Sequence, residues 1–140
     1  LIYEYIIHIL RESSADFGND YKERELVIVS DLMQFSKRVN FFKHCKSSAM
    51  LLKPKKKQKA DKCRSFETLM KKEKSFAKYM EKTKPSSNMV KNLKVKVLFI
   101  NHSYEHGQDL YVTLEKLWRD MFSYMGINNV EIIPQIDYDN

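Results

Sequence analysis

The stretch that decides the fold is LVIVSDLMQFS, residues 26–36. Its first four residues are apolar and three of them are β-branched, which favours an extended chain. No polar residue alternates with them, so the segment reads as a strand buried on both faces, as in a parallel sheet covered on each side by helices. Ser30 and Asp31 end the run. From there LMQFSKRVNFF, residues 32–42, sets Leu32, Phe35, Val39 and Phe42 at helical spacing and predicts a helix. A carboxylate between strand and helix sits where α/β folds place their chemistry. At the level of residues alone, Asp31 would cap that helix by accepting from its first backbone N–H groups.

Working outward, LIYEYIIHIL places Leu1, Ile2, Tyr5, Ile6, Ile9 and Leu10 on one stripe and predicts a helix over 1–10 packed on the sheet. Glu4 and His8 interrupt it, and it lacks the basic leader and small-residue cleavage site of a secretion signal. The chain begins on Leu, so further residues are expected upstream. SSADFGNDYKERE, residues 13–25, reads as a polar connection. The lysine-rich LKPKKKQKADK has little to bury and predicts an exposed loop. Phe66, Leu69, Met70, Phe76, Ala77 and Met80 then mark an amphipathic helix over 63–80 with a basic outer face, which TKPSSN at 83–88 stops. A second strand is expected at 94–100, a loop at 101–109, a helix at 110–125 closed by Gly126 in a left-handed cap, and a third strand at 130–133.

That order predicts a single α/β domain over 1–140, incomplete at its amino end, with a basic loop–helix insertion at 43–91. The sheet should be Rossmann-like and mostly parallel, doubly wound, and flanked by helices through right-handed crossovers. A chain of 140 residues suits one domain, and no apolar run is long enough to span a membrane. The formal charge of +7 is unevenly spread. Residues 53–84 hold thirteen Lys or Arg against four acids, a net of +9, which leaves −2 for the remainder. Cys45 and Cys63 are the only cysteines. They could pair, but two thiols in a lysine-rich chain without a signal segment fit a reducing cytoplasm better, and a cytoplasmic location is expected.

LVIVSDLMQFS, followed downstream by NLKVKVLFI, LEKLWRDMFSYMGINN and VEIIP, resembles the later part of bacterial von Willebrand factor A-like domains, across residues 1–42 and 92–136. There a hydrophobic strand ends in Ser-Asp or Thr-Asp, and a late aromatic helix closes on glycine before the last strand. The resemblance implies a ligand-binding domain that holds Mg²⁺ or Mn²⁺ at the top of its sheet, with the position of Asp31 as one ligand. A hard cation of this kind takes oxygen ligands and leaves open positions for a partner carboxylate. The Asp-x-Ser-x-Ser motif that supplies the other ligands is absent from the chain, so the ion would need residues from outside it.

Asn101, His102, Glu105 and His106 lie in the loop NHSYEHGQD, which should leave the sheet at the same end as Asp31. With Asp31 they form the candidate partner-binding surface. Imidazoles and carboxylates could bind zinc or move a proton, but the spacing lacks the HExxH arrangement. A solvated partner-facing loop is the preferred reading. Ser30 lacks the glycines of a nucleophile elbow, and the three glycines build no phosphate loop, so catalytic residues are not assigned. The expected function is a non-catalytic binding or scaffold domain for a protein partner. The alternative is a nucleic-acid-associated protein whose Lys55, Lys56, Lys57, Lys59, Lys71 and Lys72 contact phosphates. With one Arg in that segment and no base-reading motif, such binding would be electrostatic and sequence-independent.

Overall fold

The computed structural model describes residues 1–17, 23–46, 62–101 and 108–136. Three strands form the main sheet: β1 (Arg24–Ser30), β4 (Leu93–Asn101) and β5 (Asn129–Ile136), in the order β1-β4-β5. Both pairings are parallel, with Leu26 level with Val95, Ser30 with Phe99, and Asn101 with Ile136. The expected fold class therefore holds as an α/β domain with a parallel sheet and helical flank. Each strand extends beyond the run its apolar residues marked, because hydrogen bonding to a neighbour carries the ladder past the buried core.

The sheet is covered on one face, not two. Val95, Val97, Phe99 and Ile132 are buried on the inner side, whereas Val27 and Val29 on the outer side are 52% and 64% exposed. The cause is topological. A right-handed crossover places its helix on a side set by the direction of travel across the sheet. Here the strand order advances β1 to β4 to β5 without turning back, so successive crossovers pack on the same face. A doubly wound sheet, and the switch-point crevice that comes with it, needs a reversal of order. The described strands have none.

Helix α1 (Ile2–Phe17) outlasts the predicted stretch and buries Tyr3, Ile6, Ile7 and Leu10. Tyr5 and Ile9, expected on the packed stripe, are exposed instead. The long helix α6 (Gln108–Tyr124) follows expectation closely, burying Leu114, Leu117, Trp118, Met121 and Phe122. It ends in a Schellman turn: Ile127 N–H donates to Phe122 O at 2.8 Å and Gly126 N–H to Ser123 O at 3.0 Å. Gly126 has φ +89°, the left-handed geometry that a side chain would resist.

The basic middle departs most from expectation. Helix α2 (Phe41–His44) leads into β2 (Cys45–Lys46), which pairs antiparallel with β3 (Lys62–Cys63). Then come α3 (Phe66–Lys72), α4 (Lys74–Thr83) and α5 (Ser87–Val90). The single helix predicted over 63–80 is thus a short strand followed by two helices that break at Glu73. The break lets Phe66, in edge contact with Phe76, also reach Tyr124 on α6. Cys45 and Cys63 face each other across the β2–β3 ladder and are joined by a disulfide. The expectation of two free thiols is corrected, and that ground for a cytoplasmic location falls with it. The cysteines lie 18 positions apart, so only the folded register reveals that they meet. No described helix is long and apolar enough to cross a membrane.

Candidate functional site

At the carboxyl end of β1 the chain turns instead of entering a helix. Ser30 Oγ accepts from Leu32 N–H at 2.9 Å, and Asp31 Oδ1 accepts from Met33 N–H at 3.0 Å. Between these two bonds Leu32 adopts φ +61°, a left-handed conformation that non-glycine residues seldom take. The Ser-Asp pair is what holds it there. Leu32 is compensated by burial of its side chain and by Trp118, whose Nε1–H donates to Leu32 O at 2.8 Å. The helix over 32–42 is therefore overturned, and with it the capping role of Asp31. Its apolar spacing belongs to a loop over 31–40 and the start of α2, with Leu32, Val39 and Phe41 inward.

The rest of this loop is firmly pinned. Phe35 bridges to Asn40, Ser36 N–H donates to Val39 O at 2.9 Å, and Ser36 Oγ accepts from Val39 N–H at 3.0 Å. Gln34, the one fully buried polar residue among those described, ties the loop to α1. Its Oε1 accepts from Tyr3 N–H and its Nε2 donates to Glu4 Oε2, both at 2.8 Å. The consequence is outward display of Phe35 and Phe42, 60% and 54% exposed, their rings in edge contact with centroids 6.1 Å apart. Sequence reasoning missed this pair by assigning both rings to a buried helical face. The Ser-Asp turn signal and Asn40, which accepts from Phe42 N–H and caps α2, could have marked the loop.

Of the expected partner-binding residues, Asp31 and Asn101 leave the same end of the sheet, because β1 and β4 are parallel and Ser30 is level with Phe99. His102, Glu105 and His106 lie outside the described residues. So do Lys55, Lys56, Lys57 and Lys59 of the phosphate-binding alternative. Lys71 and Lys72 are exposed in the last turn of α3, and Lys71 Nζ pairs with Glu67 Oε1 at 2.9 Å. On α4, Lys74, Lys78 and Lys82 are exposed at four-residue steps. Among the described residues no three His, Cys, Asp or Glu side chains converge as metal ligands. Asp31 brings a single carboxylate to a cation that requires about six oxygens, and one of its oxygens already serves the turn. The described residues do not by themselves make a Mg²⁺ or Mn²⁺ site.

A second polar group lies beside the disulfide. Arg64 Nη1 donates to Glu73 Oε1 at 2.8 Å and lies 3.5 Å from His44 Nδ1. Burial, opposed by Glu73 and helped by Arg64, lowers the His44 pKa, while the bond from Arg64 lowers that of Glu73. Arg64 N–H also donates to His44 O at 2.8 Å, and Cys63 N–H to Thr113 Oγ1 at 2.7 Å. These bonds clip the β2–β3 ladder to α6 and α3, which is a structural task. The buried sulfurs lack the exposure that reactive cysteines need.

The fold and site together define an α/β domain with a one-sided parallel sheet and an aromatic, carboxylate-bearing loop at its carboxyl end. No protein-family model, curated protein or solved structure matches the chain.

Proposed function

We propose that the chain is a non-catalytic binding domain that recognises a protein partner at the carboxyl end of its sheet. The observation that carries this reading is the exposed pair of Phe35, on a loop held by buried Gln34, and Phe42, on the helix α2 that follows it. Exposed aromatics on a pre-ordered backbone lose little entropy on binding, and such residues dominate interface energetics. Asp31 adds a carboxylate to the same loop as Phe35. The resemblance to von Willebrand factor A-like domains supports the same end of the sheet, and a metal-assisted version would draw its remaining ligands from outside this chain. The test is capture of partners from an extract of the source cells. Chain carrying Phe35→Ala with Phe42→Ala should retain less than about a tenth of what wild type captures, the loss expected of a hot-spot pair. Chelation by EDTA separates the versions: sensitivity favours the metal-assisted one, indifference the aromatic one. Equal capture by wild type and the double variant refutes the reading.

A second reading is favoured by the lysine ridge of α4. Residues 62–84 carry eight Lys or Arg against three acids, a net of +5. Lysines four apart on a helix step along it by about 6 Å, which suits contact with a phosphate backbone. Replacing Lys74, Lys78 and Lys82 by Gln should weaken binding to DNA and RNA alike and flatten its salt dependence. Binding unchanged by these substitutions removes the role from this ridge.

A further inference from the structure

The two edges of the sheet are built differently. The β5 edge, NVEIIPQI, carries Pro134, which has no N–H to offer, together with Asn129, Glu131 and Gln135. Such residues are the usual protection against unwanted strand pairing. The β1 edge, RELVIVS, has no proline and no lysine, and among the described residues it pairs only with β4. In a parallel strand alternate backbone N–H and C=O groups point away from the existing neighbour, so this flank presents open donors and acceptors. On its outer side stand Val27 and Val29. On its inner side α1 overhangs it with Tyr5, 64% exposed, and Ile9. Tyr5 and Ile9 line one continuous groove with residues 26–30 of β1. At the amino end of that groove, Glu23 and Glu25 are exposed, whereas the Arg24 guanidinium between them is committed to the carbonyls of Met89 and Lys91 at 2.8 Å.

From this the geometry points to a second docking surface, distinct from the aromatic loop: the β1 edge receives an extended peptide as an added strand. The peptide is apolar at alternate positions and bears Lys or Arg where it passes Glu23 and Glu25. Main-chain hydrogen bonds to β1 supply general affinity, and the side chains supply choice. One set of alternate residues packs beneath Tyr5 and Ile9, the other beside Val27 and Val29. The acidic amino end selects a basic strand over an acidic one.

The test uses two synthetic peptides alternating Val and Thr, one with a lysine pair at each end and the other with glutamate pairs. Binding is read by fluorescence anisotropy and by hydrogen exchange of the amides in 24–30. The basic peptide should slow exchange there and bind about tenfold more tightly than the acidic one, the preference that two exposed ion pairs supply. Glu23→Lys with Glu25→Lys should reverse that order. Tyr5→Glu with Ile9→Glu, whose fold is checked by circular dichroism, should weaken both peptides. The proposal is overturned if exchange in 24–30 does not slow, or if the charge swap leaves the order unchanged. It is equally overturned if the peptide-free chain dimerises with those amides already protected, which would make a second copy the occupant.

Discussion

Opening the Cys45–Cys63 bond should cost the fold about 3 kcal/mol. The bond closes a loop between residues separated by 18 positions, and the chain-entropy relation for a loop of this size returns about 3 kcal/mol at room temperature. The ladder it staples is only two residues long, too short to hold by itself. The bond from Cys63 to Thr113 remains after reduction, so β3 should stay against α6, while β2 is left with its short ladder and the bond from Arg64 N–H to His44 O. For a domain of this length 3 kcal/mol corresponds to a fall in melting temperature of about 10 °C. Calorimetry of the oxidised chain, the fully reduced chain and a Cys45→Ser/Cys63→Ser variant measures it directly, with alkylation and mass determination reporting the thiol state. Both sulfurs are buried, so reduction should be slow until denaturant is added. A fully reduced chain melting within about 2 °C of the oxidised one would refute the reasoning, given the loop entropy involved.

Three further perturbations test the packing around the site. Gln34→Ala strands the buried Tyr3 N–H and removes the amide donor to the half-buried carboxylate of Glu4, so it should destabilise by about 2 kcal/mol in urea denaturation. It should also free Phe35, which loss of the Phe35–Phe42 contact in NMR would show. Gly126→Ala, forced to φ +89° with its methyl 3.3 Å from Val90 Cγ2, should cost about 1–2 kcal/mol by the same assay. Burial pushes the Tyr3 hydroxyl up to about 12, against the pull of its bond with Thr83. The unfolded chain releases that proton near pH 10. The stabilisation is therefore complete below pH 10 and is lost as pH rises towards 12. Burial also raises Tyr79 and Tyr124, in the same direction. Tyr3→Phe should flatten the alkaline fall in stability, measured by denaturant titration at successive pH values; an unchanged slope would contradict it.

Local pattern decided the elements whose burial follows one simple period. The β-branched run at 26–29, the apolar end of 94–100 and the stripe from Leu110 to Met125 each carry an unbroken local pattern, and each took the predicted strand or helix form, although Val27 and Val29 face solvent. Gly126 was legible for the same reason: a cap asks only what its own backbone can do. Parallel pairing followed from continuous apolar strands. Asp31 and Asn101 were placed at one end of the sheet by that logic alone.

What tertiary structure decided were the choices in which two environments compete. Residues 32–42 have helical spacing, yet the Ser30–Asp31 turn, the Trp118 bond to Leu32 and the grip of Gln34 on α1 hold them as a loop. These partners lie up to 86 residues away, beyond any local period. The exposure of Phe35, Phe42, Val27 and Val29 likewise depends on what stands opposite them. The strand order places every crossover on one face, so residues suited to a doubly covered sheet meet solvent on the other. The cysteine bond belongs with these. Composition could state only that two thiols exist, and the β2–β3 register is what brings them together, because disulfide formation depends on distance in space and not along the chain.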